Sequence, residues 1–431
     1  MSKKIFDPLK KAFGKLSNLA ETLIGSEIVR LGADIKEKMK GGQKIYNFTI
    51  GDFDSSVFPV PQKFEQEIVE AYRNKFTTYP PADGILSLRE SVSTFIKERE
   101  GLDYNSNEIL IAAGGRPLIY ALYRALVDRD DKVIYSVPSW NNNHYVHFVE
   151  GRHQVIETTA ENNFMPSAED IQPHIQDAVL IALCSPLNPT GTVFKKDELE
   201  KICDMVLEEN MRRSDEEKKL YVMYDQMYWT LTFGDTKHYN PVGLRPEMKE
   251  YTIFIDGISK AFAATGVRVG WALGPEYVLA KMKAINSHVG AWSPMAEQHA
   301  TAKFLLQKDA IDDYLLHYKK ELKERLQLIY DGFQKLKAEG FTVDACAPQA
   351  AIYLTIQISL AGKTTGDGKI LATQSDVTSY ILDEAKLAVV PFYAFGASKN
   401  SDWYRLSVGT CKKEEIPEML EKLKGVLEKL L

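Results

Sequence analysis

A lysine stands just after a predicted strand, within the segment Asp256–Trp271 that also carries Ser259 and Arg268. A lysine amine can form a Schiff base with a carbonyl compound when desolvation or neighbouring charge lowers its pKa. Arg268 could bind a phosphate, because its planar guanidinium offers paired donors. An isolated pair of Ser259 and Lys260 is more typical of a solvated surface, but the spacing to a threonine-glycine pair and to Arg268 favours the chemical interpretation.

An acid and a phenol close a second apolar strand, where Asp225 ends the run Leu220–Asp225 and Tyr228 follows in the next turn. These two groups suit a pyridine ring. A carboxylate facing the ring nitrogen keeps it protonated, so that the ring withdraws electrons, and a phenol can hydrogen-bond an oxygen on the ring. Taken alone, Asp225 is more typical of a helix N-cap and Tyr228 of a protein core.

The run Ala182–Gly191 also closes a strand, and its prolines, Pro186 and Pro189, predict a turn that directs the Asn188 amide toward the same region. Asn188 could then donate to the same ring oxygen as Tyr228. One X-Pro bond in this run is expected to be cis. The alternative, an ordinary Asn-Pro turn, is common in proteins that alternate strands and helices.

Gly114 and Gly115 separate a strand from a helix that begins near Arg116 and Pro117. Backbone N–H groups at such a helix start lie at its positive end and can bind a phosphate. The dinucleotide pattern GxGxxG is absent here, and many strand–glycine–helix turns bind nothing, so this signal is weak on its own.

Two further side chains complete the candidate set. Trp140 lies just beyond another predicted strand and could stack on a flat cofactor, although a core or interface position is the commoner role of a lone tryptophan. Arg405, in a predicted strand near the C-terminus, could bind a substrate carboxylate with its guanidinium fork. A salt-bridged surface arginine is the ordinary alternative for that position.

These residues belong to a stretch from about residue 105 to 275 in which short apolar runs alternate with amphipathic segments. Such alternation predicts an α/β domain with a largely parallel sheet. The predicted strands are Ile109–Ala113, Lys132–Ser136, Ala178–Leu183, Leu220–Tyr224, Thr252–Ile255 and Val269–Leu273. The candidates that each follow a separate strand are Gly115, Trp140, Asn188, Asp225 and Lys260. Because ligands bind at the carboxyl ends of strands in open α/β sheets, we expect these residues to share one site.

The C-terminal part of the chain predicts a second, smaller α+β domain. Apolar residues recur at helical spacing from Ile311 to Leu336 and predict one long amphipathic helix. Strand-like segments and a last helix follow at Ala350–Ile358, Ala388–Pro391, Trp403–Val408 and Ile416–Leu430. The stretch Leu360–Lys369 is rich in Gly, Thr and Lys without periodicity and is expected to be a surface loop.

The composition argues against several classes of function. The chain has 431 residues, of which 45% are hydrophobic and 26% charged, as expected for a globular protein with two domains. Its net charge of -6 opposes a nucleic-acid partner, which would need a concentrated positive surface. The four scattered cysteines indicate neither a zinc site nor disulfides. Because Met1–Lys11 lacks the apolar core of a signal peptide and no long apolar run occurs, we expect a cytoplasmic protein without a membrane span.

Together these motifs resemble the fold-type I pyridoxal phosphate (PLP) enzymes, and specifically the class I/II aminotransferases of the aspartate aminotransferase family. The likeness runs from the loop Ile50–Phe53 to Arg405. It implies a large α/β cofactor domain, residues 55–305, with a mostly parallel seven-stranded sheet between helices. Residues 1–54 and 306–431 would form the smaller α+β domain. No metal is implied.

The resemblance also implies roles within the site. Lys260 would carry PLP and move the substrate proton, Asp225 would pair with the pyridinium, and Asn188 and Tyr228 would bind the phenolic oxygen; Lys260, Asp225 and Tyr228 form the catalytic group. The implied phosphate ligands are Gly115, Arg116 through its backbone N–H, Ser259, Arg268 and, from a second subunit, Tyr79. The implied substrate ligands are Gly51, Trp140, Asn188 and Arg405, with Trp140 also stacking on the ring.

Family members are homodimers whose active sites lie at the subunit interface. Thr78–Gly84 resembles the segment whose tyrosine reaches the phosphate of the other subunit, which implies a homodimer with shared sites. Some positions depart from the family pattern. Gly257 stands where relatives often carry a hydroxyl, Phe392 where a small residue is common, and Asn141–Asn143 follow Trp140. These departures bear on the amino-acid specificity rather than on the cofactor.

The resemblance implies transamination. An amino group would move from an L-amino acid, with aspartate as the first expectation, to a 2-oxo acid such as 2-oxoglutarate. A PLP-dependent β-lyase, or related α-carbon chemistry on the same fold, is the alternative, and a β-lyase would release pyruvate and ammonia without an oxo-acid acceptor. The sequence identifies no second cation for the distal carboxylate of aspartate.

Other interpretations have less support. A transcriptional regulator that carries this fold is opposed by the acidic charge balance. A nucleotide-binding loop at Gly362–Thr364 lacks its first glycine, because Gln357 occupies that place. His144 and His147 could ligate a metal, but they have no matching acid cluster.

Overall fold

The computed structural model describes residues 16–23, 25 and 27–430, so Met1–Lys11, where no signal peptide is expected, lie outside the described residues. The strands are β1 Tyr46–Asn47, β2 Ile109–Ala112, β3 Lys132–Val137, β4 Arg152–Glu157, β5 Ala178–Cys184, β6 Tyr221–Asp225, β7 Thr252–Gly257, β8 Gly270–Leu273, β9 Val343–Ala345, β10 Tyr353–Ile358, β11 Leu387–Ala388, β12 Val390–Pro391 and β13 Trp403–Ser407. The α-helices are α1 Asn18–Thr22, α2 Glu27–Lys40, α3 Gln62–Arg73, α4 Leu86–Glu100, α5 Gly115–Leu126, α6 Asn142–Phe148, α7 Ala168–Ile171, α8 Lys196–Arg212, α9 Pro241–Leu244, α10 Ile258–Ala261, α11 Glu276–Val289, α12 Met295–Leu305, α13 Lys308–Ala338, α14 Gln374–Tyr380 and α15 Ile416–Leu427. Short 3₁₀ or π turns occupy Ser106–Glu108, Ala160–Asn162, Gln172–His174, Pro246–Glu250, Ile381–Ala385, Phe392–Phe395 and Lys413–Glu415.

The central sheet has seven strands in the order β2-β8-β7-β6-β5-β3-β4. Strands β7, β6, β5, β3 and β4 pair in parallel, and β8 runs antiparallel to both β7 and β2. This topology confirms the predicted α/β fold class. All six predicted strands are present within two residues of their predicted ends.

Strand β4 was not predicted. It lies at the edge of the sheet, and of its residues Arg152–Glu157 only Ile156 is buried. An edge strand with a mostly exposed face lacks the apolar run that reveals the inner strands.

The hydrophobic core lies on both faces of the central sheet. Along β7, Phe254 packs into one buried cluster, whereas Ile253 and Ile255 pack into a second cluster. Because alternate side chains of a strand point to opposite faces, a strand covered on both sides must be apolar at nearly every position. This requirement explains the uninterrupted apolar runs by which the inner strands are predicted.

A smaller antiparallel sheet, in the order β12-β13-β10-β9, packs with the long helix α13. The helix predicted from Ile311 to Leu336 is confirmed and extends over Lys308–Ala338. The predicted segment Ala388–Pro391 is divided, because β11 pairs with β1 whereas β12 pairs with β13. The stretch Leu360–Lys369 is a loop, as predicted.

The proposed domain boundaries at residues 55 and 305 stay a prediction. Among the described residues, every helix is too short or too polar to cross a lipid bilayer.

Candidate active site

The loops that follow strands β2, β5, β6 and β7 meet at the carboxyl edge of the central sheet. The Ser185 N–H donates a 3.0 Å hydrogen bond to the Asp225 carbonyl, which joins the end of β5 to the end of β6. A methyl group placed on Gly115 would lie 3.0 Å from the Met227 side chain and 3.2 Å from that of Ile255. The first turn of α5 therefore closely approaches the β6 loop and strand β7, and residues predicted from separate strands share one region.

Lys260 lies in the short helix α10 directly after β7, and its Nζ donates a 2.7 Å hydrogen bond to the Gly51 carbonyl. The pKa of this amine is lowered to about 8, principally by burial; the charges of Arg405, Arg116 and Arg268 contribute to the fall, and Asp52 opposes it. Because the pKa is lowered, a larger fraction of the Lys260 amine is uncharged near pH 7 than in an ordinary lysine. Only the uncharged amine acts as a nucleophile.

Asp225 ends β6 and is half-buried. Burial raises the pKa of Asp225 to about 6, and a hydrogen bond from the Met227 N–H to Oδ1, 3.1 Å long, opposes this rise. A partly desolvated carboxyl group gains stability when a cation comes beside it, because the ion pair forms in a medium of low dielectric constant. The site therefore suits a protonated ring nitrogen.

Arg268 and the start of α5 form a compact cradle. Arg268 Nη2 donates to the Ala113 carbonyl at 2.7 Å, and Arg268 Nη1 donates to the Thr265 carbonyl at 2.6 Å. Gly114 has φ +89°, and a Cβ there would lie 2.2 Å from Arg268 Nη2, so only glycine fits. The backbone N–H groups of the first residues of α5 have no partner within the helix, and an anion could accept hydrogen bonds from them.

Ser259 lies in α10 next to Lys260 and is buried. Arg268 itself has φ +63°, a strained conformation for a residue other than glycine. Strain of this kind is typical of functional sites, and here it accompanies the turn of the Arg268 side chain toward the cradle.

Arg405 lies in β13, and only 1% of its surface is exposed. Its Nη1 donates to Asn188 Oδ1 at 3.1 Å and its Nη2 to the Thr49 carbonyl at 2.7 Å. Its Nε finds no hydrogen-bond partner among the described residues. Burial lowers the pKa of Arg405. A buried guanidinium with no carboxylate beside it is prepared to bind an acidic ligand.

Tyr353 was missed by the sequence analysis. Its hydroxyl shares a 2.6 Å hydrogen bond with that of Tyr228, and its ring lies 4.8 Å from the Arg405 guanidinium. A Cβ on Gly51 would lie 2.8 Å from the same hydroxyl. Tyr353 thus connects the phenol, the arginine and the glycine loop. The available signal was a tyrosine in the predicted strand Ala350–Ile358, which is also an ordinary core position.

Trp140 lies at the margin of this region. The Arg116 guanidinium lies 5.4 Å from the centre of the Trp140 ring, and the Trp140 ring centroid lies 6.3 Å from that of Phe395. Tyr79 is not brought to the site within one chain, since 84% of its surface is exposed and its ring packs edge-on against Trp292.

The Ser185–Pro186 peptide bond is cis, which confirms the expected cis bond beside Asn188. A second cis bond, which was not predicted, joins Val137 to Pro138 ahead of Trp140.

Comparison with known proteins agrees with this geometry. The family model described as aminotransferase class I and II matches residues 43–423. The aspartate aminotransferase of Bacillus sp. (strain YM-2) is 30% identical over 386 residues, which cover 89% of this chain and 92% of that protein. The chain belongs to the class I and II aminotransferases.

Other relatives of this aminotransferase support the same family. A probable aspartate/prephenate aminotransferase of Rickettsia felis is 29% identical and is matched over 88% of each chain. The crystal structure of the aspartate aminotransferase from Rhizobium meliloti has a TM-score of 0.88 at 26% identity, covering 97% of this chain and 100% of that one. The Thermus thermophilus aspartate aminotransferase with maleate has a TM-score of 0.85 at 26% identity, covering 96% and 100%.

The protein is a PLP-dependent aminotransferase with the fold-type I architecture. Its residues fit that cofactor. A poorly solvated amine, a half-buried carboxyl group with a raised pKa and a glycine cradle that a Cβ would fill lie at one sheet edge. These are the three kinds of group that an aldehyde, a pyridine nitrogen and a phosphate respectively require.

Proposed function

We propose that this aminotransferase takes its amino group from aspartate and passes it to 2-oxoglutarate. The names of the relatives support aspartate as the donor. The observation that carries the proposal is the set of arginines whose charge lowers the pKa of Lys260, namely Arg405, Arg116 and Arg268. A dicarboxylic substrate and a phosphate present three anionic groups, and each would have one arginine.

We assign Arg268 to the phosphate, together with Ser259 and the backbone N–H groups of Gly115 and Arg116. Arg268 already donates to the Ala113 and Thr265 carbonyls, which hold it at the glycine cradle and away from the substrate. Tyr79 of a second subunit would add its hydroxyl. These donors orient the cofactor without taking part in proton transfer.

When bound, PLP supplies an aldehyde that condenses with amines and a ring that withdraws electrons from the substrate α-carbon. Lys260 would hold the cofactor through its amine and would move the α-proton of the substrate. Asp225 would keep the ring nitrogen protonated, while Asn188 and Tyr228 would donate to the phenolic oxygen. Trp140 would lie beside the ring.

We assign Arg405 to the α-carboxylate of the substrate, with Gly51, Trp140 and Asn188 beside it. Arg405 is buried and its position is held by Asn188 and Thr49, so it can bind a carboxylate without first losing its own freedom of movement.

Arg116 would bind the distal carboxylate. Its side chain is exposed and lies over Trp140, and among the described residues it forms no ion pair. The sequence analysis identified no cation for the distal carboxylate. Arg116 would be that cation, although the sequence analysis gave it a role only through its backbone N–H.

We further propose that the active enzyme is a cytoplasmic homodimer with shared sites. The exposure of Tyr79, which packs only edge-on against Trp292, supports contact with a second subunit. All four cysteines are unpaired thiols, which is usual in a reducing compartment.

A screen of amino donors with 2-oxoglutarate tests the substrate proposal. The absorbance change of the bound cofactor is followed after each amino acid is added in the absence of acceptor, and glutamate formation is measured in its presence. We expect the highest kcat/KM with aspartate. A higher kcat/KM for an amino acid without a distal carboxylate would overturn the proposal, and release of pyruvate and ammonia without acceptor would identify a β-lyase activity.

A further inference from the structure

A second cavity, of about 740 Å³, opens on a side of the molecule to which no residue of the candidate active site contributes. Its walls are the C-terminal end of α4, the loop Trp229–Thr232 after β6, the segment from His238 to Asn240, and the first turns of α13. The volume falls within the range of about 300–1,000 Å³ that small-molecule pockets span. No part of the aminotransferase reaction explains this cavity.

The cavity carries two lysines that are not ion-paired. Among the described residues, neither Lys308 nor Lys319 has a carboxylate within ion-pairing distance, although both line the cavity, as does the exposed carboxylate of Glu98. Arg99 Nη1 pairs with Asp312 Oδ1 at 2.7 Å, whereas Arg99 Nη2 is buried and lacks a partner within the described part of the chain. Burial lowers the pKa of Lys319, which shows that its ammonium group is poorly solvated. An anion would stabilise all three groups.

The inner wall of the cavity carries buried polar atoms that lack hydrogen-bond partners among the described residues. His238 Nδ1 and Thr230 Oγ1 are buried, and no described residue hydrogen-bonds to either atom. Burial, and then the nearby Asp256 carboxyl, raise the pKa of Glu100 well above the ordinary value, which disfavours its negatively charged form. The Glu100 carboxyl group accepts from Gln226 Nε2 at 2.7 Å. Unsatisfied buried polar atoms are uncommon and call for a ligand or water.

The same wall also presents apolar surface. Trp229, Leu315 and Leu316 line the cavity, and 70% of the Leu316 surface is exposed. A ligand that used both kinds of surface would carry an anionic group and an apolar body.

We propose that this cavity is a second binding site, for a small organic anion with an apolar or aromatic body, and that its occupant acts on the catalytic centre. The anionic group would bind Arg99, Lys308 and Lys319, and the apolar body would pack on Trp229 and Leu315. Amino acids and 2-oxo acids with large apolar side chains belong to this chemical class, which differs from the dicarboxylates proposed for the catalytic centre.

Two connections, each made through neighbouring residues of the chain and a hydrogen bond, lead from the cavity to the active site. Trp229 follows Tyr228 directly, and its Nε1 donates to Asp256 Oδ2 at 2.8 Å, in the strand that leads to Lys260. On the opposite wall, Lys319 follows Tyr318, whose hydroxyl donates to the Lys260 carbonyl at 3.1 Å. A ligand that shifts either wall therefore moves a residue in contact with the catalytic segment.

Calorimetric titration of the holoenzyme with phenylacetate tests the binding. Phenylacetate has an aromatic body and a carboxylate but no amino or oxo group, so it cannot react. We expect the wild type to bind one more phenylacetate per chain than the double variant Lys308→Glu/Lys319→Glu. The matched control is Lys320→Glu, which changes an exposed lysine on the same helix outside the cavity. Equal stoichiometry in the wild type and the double variant would overturn the proposal.

A second variant keeps the test valid if the charge reversals disturb folding. Leu316→Trp alters a largely exposed position and narrows the cavity, and we expect it to weaken the additional site at least tenfold. An unchanged affinity would contradict the assignment of this site to the cavity.

The action on catalysis is measured at saturating amino acid and oxo acid, where competition at Arg405 is abolished. We expect phenylacetate to lower kcat at least twofold in the wild type and in Lys320→Glu, and to leave kcat unchanged in the double variant. A kcat that does not respond in the wild type would overturn the regulatory part of the proposal, and an equal fall in the double variant would place the effect outside the cavity.

Discussion

The Lys260 amine donates a 2.7 Å hydrogen bond to the Gly51 carbonyl, joining residues that are 209 positions apart. Lys260 follows the strand β7 of the central sheet, whereas Gly51 belongs to the segment after β1, which pairs with β11 near the C-terminus. The contact therefore brings the N-terminal segment over the amine and helps to remove it from water. Desolvation is the principal reason for its pKa of about 8.

Replacing Lys260 with Ala removes the amine to which we assign cofactor attachment and proton transfer. We expect transamination to fall by at least about a thousandfold, within the range attributed to positioned proton-transfer groups. Borohydride reduction followed by peptide mapping should find a pyridoxyl adduct at residue 260 in the wild type and none in the variant. Lys303→Ala, at an exposed lysine paired with Glu67, is the control and should retain both activity and adduct. A reduced adduct at another lysine in the wild type would refute the assignment.

Gly114→Ala should weaken cofactor binding, because the added methyl group would lie 2.2 Å from Arg268 Nη2. Displacing Arg268 removes a charged hydrogen bond worth roughly 1.5–3 kcal/mol, so we expect affinity for PLP to fall about tenfold or more. The matched control is Gly101→Ala, since Gly101 also has a positive φ, of +71°, but nothing lies within 4 Å of the added methyl group. Equilibrium titration of each apoprotein variant with PLP measures its affinity for the cofactor. Equal losses in the two variants would mean that backbone strain, not the cradle, is responsible.

Arg116→Gln tests whether Arg116 binds the distal carboxylate of the substrate and not its α-carboxylate. We expect kcat/KM for aspartate to fall by about 10- to 100-fold, as the loss of a charged hydrogen bond implies, while kcat/KM for alanine changes little. Arg124→Gln, near the other end of α5, provides the control, because its side chain donates to the Phe148 carbonyl at 3.4 Å and lies outside the candidate active site. Steady-state kinetics with both donors gives the comparison. A parallel fall for aspartate and alanine would contradict a role at the distal carboxylate.

Asp256 makes the stability of the protein depend on pH. Burial raises the pKa of Asp256 to about 8 from an ordinary value of 3.8. Between these values the unfolded chain has released the proton that the folded protein retains, so the free energy of unfolding falls as pH rises, by at most about 1.4 kcal/mol per pH unit. The contribution is fully present below the unfolded pKa and is lost by about pH 8.

Asp256→Asn removes this titration. Relative to the wild type, we expect the variant to gain stability as the pH is raised from 5 to 8, whatever its absolute stability. Urea unfolding at several pH values measures the difference, and Asp235→Asn, at an exposed position, is the control. A difference between variant and wild type that does not change with pH would show that Asp256 is ionised in the folded protein.

Much of the fold follows from local patterns that the sequence displays. The inner strands must be apolar on both faces, and helix α13 must present one apolar stripe, so both were predicted close to their observed bounds. The edge strand β4 escaped prediction because its exposed face removes that signal. The residues after successive strands were predictable as a group, because parallel strands bring their carboxyl ends to one edge.

The amino-acid sequence alone gave the family resemblance and the inner strands of the central sheet, and it predicted the amine, the acid and the glycine turn of the candidate site. Tertiary structure alone decided which distant groups meet: Tyr353 with Tyr228, Arg405 with Asn188, and the cations that surround the second cavity. Spacing along a chain specifies the neighbours of a residue only within one helix or strand. Contacts between elements depend on how whole faces pack, and desolvation, which determines the pKa values of Lys260 and Asp225, arises only from that packing.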